Sequence, residues 1–229
     1  MSAQTILRLT SRFLTIPLVL TSRLMVGLKF KGLNQDLERC LEAVDATPLL
    51  PARFVATLVA AEDHRSAFHV GVDPIALLRV LFVWLRTGRS QGASTIEQQF
   101  VRVVTARYER TLHRKLREQV LAIALCQRRS KTRVAMAYLS IAFYGSGQEG
   151  LSALSGAFGP NLHRATQGDV SRMVARLKYP EPLFQTTAWR SRIERRAQYI
   201  GGRLHEAANV SVKPTHSGLR PPWAAYLKW

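Results

Sequence analysis

Apolar residues in this chain return every three or four positions in one segment after another, and no stretch alternates apolar with polar convincingly. The elements are therefore helices, and the fold class is all-α. Phe54, Val55, Leu58, Val59 and Glu62 put a helix over 53–62, whose apolar stripe ends on an acid. Asp73 and Pro74 form an N-cap and first-turn pair, and IALLRVLFVWL then runs to a stop at Gly88, which predicts a largely buried helix. Ser94 with Glu97 fits a capping box opening a helix through Ala106. Leu112, Leu116, Val120 and Ile123 share one face of a helix over 111–129, and another over 130–144 meets Gly145, Gly147 and Gly150. Asp169 offers an N-cap for a helix ending before Pro180, and the segment 187–206 reads as a long, polar, Arg-rich helix.

With 229 residues, 47% of them hydrophobic, the chain can build one compact domain of ordinary size. Its net charge of +18 excludes an acidic disordered protein and calls for an anionic partner. Of the 33 basic residues 26 are Arg, whose forked donors suit phosphate or carboxylate. The charge is spread along the chain without zinc-ligand spacing, a basic zipper or an aromatic RNA-binding signature, so nucleic acid is not the expected partner. Cys40 and Cys126 belong to no CxxC or Cys/His cluster, and Cys126 lies in the apolar run LAIALC as a small hydrophobe would. The most apolar stretch, FLTIPLVLTSRLMVGLKF at 13–30, contains Pro17 and is divided by Arg23. It reads as an anchor-like or interfacial segment, with Arg8, Arg12, Arg23, Lys29 and Lys31 toward an anionic membrane surface, or as an amphipathic helix packed on the domain. The expected organisation is a membrane-proximal segment over 1–49, a catalytic domain over 50–206 and a turn-rich tail over 207–229.

Four segments carry a family resemblance: EDHRSAFHVGVDP at 62–74, QGASTIEQQFVR at 91–102, RTLHRKLRE at 110–118 and SKTRVAMAYLSIAFYGSGQEGL at 130–151. In that order and at those separations the chain resembles glycosyltransferase family 51, the peptidoglycan glycosyltransferases. The PEP at 180–182 and the helix after Trp189 look more like the monofunctional transglycosylases than the two-domain penicillin-binding proteins. The resemblance implies a lysozyme-like, two-lobed fold with a groove, and polymerisation of lipid II into β-1,4-linked glycan by inverting displacement of undecaprenyl diphosphate. It assigns the catalytic base to Glu62, followed by the motif residues Asp63, His69 and Gly71, and the second glutamate to Glu118. Ser94, Thr95, Gln98, Gln99, Arg102, Arg110, Arg114 and Lys115 fall on its substrate- and pyrophosphate-binding positions. The implied partners are lipid II, the growing glycan strand, the anionic membrane and cell-wall synthesis proteins. The implied location is the cytoplasmic membrane, with the catalytic domain toward the periplasm or exterior.

Elementary chemistry makes these roles sensible. Joining a sugar hydroxyl to a diphosphate-activated anomeric carbon needs a base for the hydroxyl and cations for the departing diphosphate. Glu62, at the end of an apolar stripe, suits the base, because desolvation disfavours the charge that proton uptake removes. Arg102, Arg110, Arg114 and Lys115 supply the positive side. Glu118 accepts hydrogen bonds only, so it would orient those cations or bind a divalent ion, magnesium or manganese; no organic cofactor is implied. The chain departs from the family pattern at Ser66, Ala93, Glu97, Val103 and Ser140. Glu97 would put a negative charge near the phosphate site unless it faces outward as a capping-box acid. The alternative reading is a catalytically degenerate member that binds lipid diphosphate or a cell-wall assembly partner. A glycan hydrolase and a charge-driven nucleic-acid binder stand behind both.

Overall fold

The computed structural model describes residues 3–89 and 92–212. Its helices are Ala3–Gly27 (α1), Leu33–Asp45 (α2), Ala52–Glu62 (α3), Pro74–Thr87 (α4), Ile96–Val104 (α5), Leu112–Cys126 (α6), Lys131–Ile141 (α7), Gly150–Phe158 (α8), Gln167–Ala175 (α9) and Thr187–Val212 (α10). Two short strands, Phe143–Gly145 (β1) and Gln148–Glu149 (β2), pair antiparallel and add a hairpin to the expected all-α pattern. They are too short to display alternation. Residues up to 46 with 65–134 make one compact unit, and 47–64 with residues from 135 onward make the other. Of the tail expected over 207–229, residues 207–212 continue α10 and 213–229 lie outside the described residues, as do residues 90 and 91 of the loop before α5 and the side chains of Arg8, Arg12 and Lys31.

In the first unit α6 is the central element. Val120, Leu121, Ala122, Ile123, Ala124 and Leu125 are all buried, as expected of a helix surrounded by neighbours. Helices α1, α2 and α5 pack against it. Ser22 Oγ donates to the Val120 carbonyl at 2.9 Å, tying α1 to α6 through a buried hydrogen bond. The join between α2 and α6 is ionic: Arg117 donates to Asp36 Oδ2 from Nε at 2.9 Å and Nη2 at 2.6 Å, and both residues are buried. Burial, reinforced by the Asp36 carboxylate, pushes the Cys40 thiol up to about 12, so Cys40 packs as a small apolar group.

The ends of α4 follow the local signals. Asp73 accepts from Ala76 N at 2.9 Å, Pro74 fills the first turn, and Gly88 closes the helix in the left-handed region at φ 66°. Its middle does not behave as expected. Leu78, Leu81, Phe82, Trp84 and Leu85 are exposed, where the sequence predicted burial. An all-apolar run has the same composition whether protein or another apolar phase covers it, and a patch of this kind on a surface marks an interaction face. Helix α1 likewise exposes Phe13, Ile16, Leu20 and Leu24, and its segment Leu9–Gly27 is long and apolar enough to cross a membrane.

In the second unit α3 is buried from Phe54 through Ala60. Helix α9 packs on α3, with Gln167 Nε2 donating to Thr57 Oγ1 at 2.7 Å. Its N-cap is Thr166, which accepts from the Asp169 backbone; Asp169 sits three residues on and is not the cap the sequence suggested. Helix α10 presents Ile193, Ala197, Ile200 and Leu204 as its buried stripe and packs on both α9 and α3. Gly145 has φ +153°, and a Cβ there would stand 2.6 Å from the Glu181 backbone nitrogen, so only glycine lets that strand approach this closely. Replacing Asp36 by Ala leaves Arg117 buried without its carboxylate. Urea unfolding of the purified chain is expected to register a loss of about 3–5 kcal/mol, and a loss under about 1 kcal/mol would show that the pair contributes little.

Candidate active site

Helices α5 and α6 and the residues leading into α5 bring five of the sequence-identified residues together around the carboxylate of a sixth, Glu118. Glu118 is 3% exposed, and Arg102 grips it with both arms of its fork, Nε to Oε2 at 3.1 Å and Nη2 to Oε1 at 3.0 Å. Lys115 Nζ donates to Glu118 Oε1 at 3.0 Å, and Arg114 Nη1 donates to Oε2. The Arg114–Glu118 pair is thus part of a partly buried network, unlike the isolated surface pair that its spacing of four most often marks. Ser94 Oγ accepts from Arg102 at 3.2 Å and from Lys115 at 3.0 Å, while Gln98 Oε1 accepts from Lys115 at 3.2 Å. Three cations on one acid leave a net charge of about +2. Burial lowers the pKa of Lys115, Arg102 and Arg114 act in the same direction, and Glu118 opposes them.

Helix α5 starts one residue later than the sequence suggested. Thr95, not Ser94, is the N-cap, and its capping-box partner is Gln98, not Glu97. This frees the Ser94 hydroxyl for the cation cluster. Thr95 Oγ1 also donates to the Gly71 carbonyl at 2.7 Å. Gly71 has φ +94°, and a Cβ there would stand 2.5 Å from the Ala122 carbonyl oxygen, which explains the glycine at this motif position. Gln99 is half-buried on α5. Arg110 is exposed before α6, without a hydrogen-bond or ion-pair partner among the described residues.

Glu97 points inward, contrary to the outward capping-box role. It is 1% exposed, and its Oε1 pairs with Lys131 Nζ at 2.9 Å. Lys131 also lies 3.3 Å from Ser66 Oγ and 3.2 Å from His69 Nδ1. Two departures from the family pattern, Ser66 and Glu97, therefore meet on one ammonium. A hydroxyl at 66 accepts a hydrogen bond that the family's aromatic residue could not. Burial works to raise the pKa of Glu97, but the charges of Lys131 and His69 and the bond from Lys131 overcome it and hold it below the usual carboxylate range.

In the second unit, Glu62 ends α3, half-buried, with Asp63 buried as the C-cap residue. Arg196 of α10 reaches it: Nη2 donates to Glu62 Oε1 at 3.1 Å and to the Ala61 carbonyl at 2.7 Å. In the sequence Arg196 is one of several arginines on a polar, Arg-rich helix, and Lys131 carries no distinguishing signal of its own. The one usable signal for Lys131 was Glu97 itself, since an acid so close to a phosphate site needs a compensating cation.

A divalent ion fits poorly at Glu118. Both carboxylate oxygens already take hydrogen bonds from cationic side chains, so an incoming cation would have to displace them and face like charge. The cluster is built for an anion.

A family model described as Transglycosylase matches residues 35–205. The chain belongs to the transglycosylase family, and with it to the peptidoglycan glycosyltransferases of family 51. Penicillin-binding protein 1A of Haemophilus influenzae is 32% identical over 181 residues, covering 77% of this chain and 21% of that protein. Penicillin-binding protein 1A of Aquifex aeolicus is 34% identical over 133 residues, covering 57% of this chain and 18% of that protein. Penicillin-binding protein 1B of Vibrio cholerae is 35% identical over 138 residues, again 57% of this chain and 18% of the relative. The matched region thus spans about a fifth of the length of these relatives.

The Glu97–Lys131 pair gives a signed pH dependence. A carboxylate held low in the folded state stabilises the fold fully above its ordinary pKa and loses that contribution as pH falls through the folded value. Thermal melts of wild type and Glu97→Gln should therefore differ by a constant margin above about pH 5. The margin should close between about 4.5 and about 2. A margin that stays flat over that interval would show that Glu97 is not the group responsible.

Proposed function

We propose that this chain polymerises lipid II into β-1,4-linked glycan strands, with Glu62 as general base and the cluster on Glu118 as the diphosphate site. The observation that carries the reading is the convergence of Arg102, Arg114 and Lys115 on a buried carboxylate, with Ser94 and Gln98 beside them. Gln98 Nε2 is buried without a hydrogen-bond partner among the described residues, a donor that a bound oxyanion would satisfy. Glu118 holds the cations at fixed positions, so little reorganisation is needed as negative charge develops on the leaving group. Arg110 is exposed before α6, with no partner among the described residues, and adds a further cation to the proposed set.

In the step itself, a sugar hydroxyl of one substrate loses its proton to Glu62 while its oxygen attacks the anomeric carbon of another. The bond from that carbon to the diphosphate oxygen breaks, and the electron pair leaves with undecaprenyl diphosphate. One displacement inverts the configuration, turning an α-linked donor into a β-linked product. Arg196 donates to Glu62 Oε1 and so keeps the carboxylate oriented.

The exposed apolar faces of α1 and α4 support a membrane-associated location, as a substrate carried on a polyprenyl lipid requires. The reading places the catalytic units on the outer side of the cytoplasmic membrane, with the growing strand and cell-wall synthesis proteins as partners. A second reading, a module that binds lipid diphosphate without turnover, draws support from the Arg196–Glu62 ion pair, which occupies the proposed base.

Glycan formation from purified lipid II in detergent separates the two. Wild type is expected to yield polymer, Glu62→Gln to lose about 10²–10⁴-fold in rate, and Glu118→Gln about 10²–10³-fold through disordered cations. Full turnover by Glu62→Gln contradicts the assignment of the base. Lipid II binding without polymer from wild type favours the binding module.

A further inference from the structure

The second unit holds another cluster of basic side chains, which the proposed chemistry uses only in part. Tyr179 with Arg192, Arg195, Arg196 and Tyr199 lines an open cavity of about 200 Å³. Residues 192, 195, 196 and 199 are three, four and seven apart on α10, so their side chains lie on one face and converge.

The partners of these arginines differ from those of their neighbours. Arg172 pairs with Glu194 at 2.7 Å, and Arg190 bonds to Gln185 at 3.2 Å. Glu194, the acid of α10 nearest the cavity in sequence, is therefore already engaged. Arg192 and Arg195 are exposed and have no hydrogen-bond or ion-pair partner among the described residues. Arg196 spends Nη2 on Glu62 and the Ala61 carbonyl, while its Nε is buried without a hydrogen-bond partner among the described residues. Its guanidinium stands 5.1 Å from the centre of the Tyr199 ring, which fixes its plane. Three guanidinium groups against the single charge of Glu62 leave a net charge of about +2, with two phenol hydroxyls as further donors. A carboxylate would leave most of that charge and most of those N–H groups unanswered. A phosphate or diphosphate matches both, because its several oxygens accept forked donation from more than one guanidinium.

We propose that the Tyr179, Arg192, Arg195, Arg196 and Tyr199 cavity binds a phosphate-type oxyanion, in addition to the cluster on Glu118. Arg196 then serves two groups at once, and an occupant of the cavity draws on the same guanidinium that holds Glu62. Binding at the cavity stands without the transferase reading; only its consequence for Glu62 rests on that reading. The phosphate can come from a soluble or polyprenyl-borne diphosphate, or from the headgroup of an anionic phospholipid.

The test uses the full chain in detergent, carrying Arg102→Gln and Lys115→Gln so that the Glu118 cluster contributes little. Calorimetric titration with inorganic pyrophosphate is expected to show binding, weakened at least tenfold when Arg192→Gln and Arg195→Gln are added. Both arginines are exposed, and an unchanged melting temperature confirms that the fold is intact. Unchanged pyrophosphate affinity, or no binding before the two substitutions are added, overturns the proposal. Co-sedimentation with phosphatidylglycerol and phosphatidylcholine vesicles identifies the source. Parallel loss of phosphatidylglycerol binding assigns the site to a lipid headgroup, and loss of pyrophosphate binding alone assigns it to diphosphate. Failure of wild type to polymerise lipid II would defeat the transferase reading while leaving this binding result intact.

Discussion

A carboxylate buried under three cations is the constraint on which the first unit's site depends. Without Glu118, Arg102, Arg114 and Lys115 would repel one another and fan out into solvent. With it, they stand close enough to share Ser94 and Gln98, and the surplus of positive charge stays fixed in place. The cost of burying the acid is offset by hydrogen bonds to both of its oxygens, the condition under which a buried ionic cluster is tolerable. Burial of α6 below this cluster supplies the rigid base, and the Thr111 cap sets where the helix begins: its side chain accepts from Arg114 N at 3.2 Å.

The same logic appears twice more. Lys131 answers the buried charge of Glu97 and also reaches Ser66 and His69, so two departures from the family pattern form one compensated arrangement. Arg196 answers Glu62, and its Nε has no hydrogen-bond partner among the described residues. In each case an acid sets the position of a basic side chain.

What could be read from the sequence was local. The cap at Asp73, the stop at Gly88 and the stripe ending at Glu62 depend on residues within a turn or two of one another, and the structure has them where expected. The motif residues on α5 and α6 came from the family resemblance, and their convergence follows once two adjacent helices pack. The partner of Glu62 was not legible, because Arg196 lies 134 residues away and resembles every other arginine on its helix. The exposure of α4 was hidden for a different reason: composition reports how apolar a surface is, not what covers it. Glu97 and Gln98 both offer a side-chain oxygen to an N-cap, and a shift of one residue gave that role to Gln98 and left Glu97 to pair with Lys131.

The measurement that reaches the central claim most directly is a crystal structure of Glu62→Gln bound to lipid II. The proposed mechanism requires the diphosphate oxygens of the donor to lie within hydrogen-bond distance of Arg102 and Lys115, with Glu118 still holding both cations. A donor diphosphate bound elsewhere, with the Glu118 cluster untouched, would contradict it.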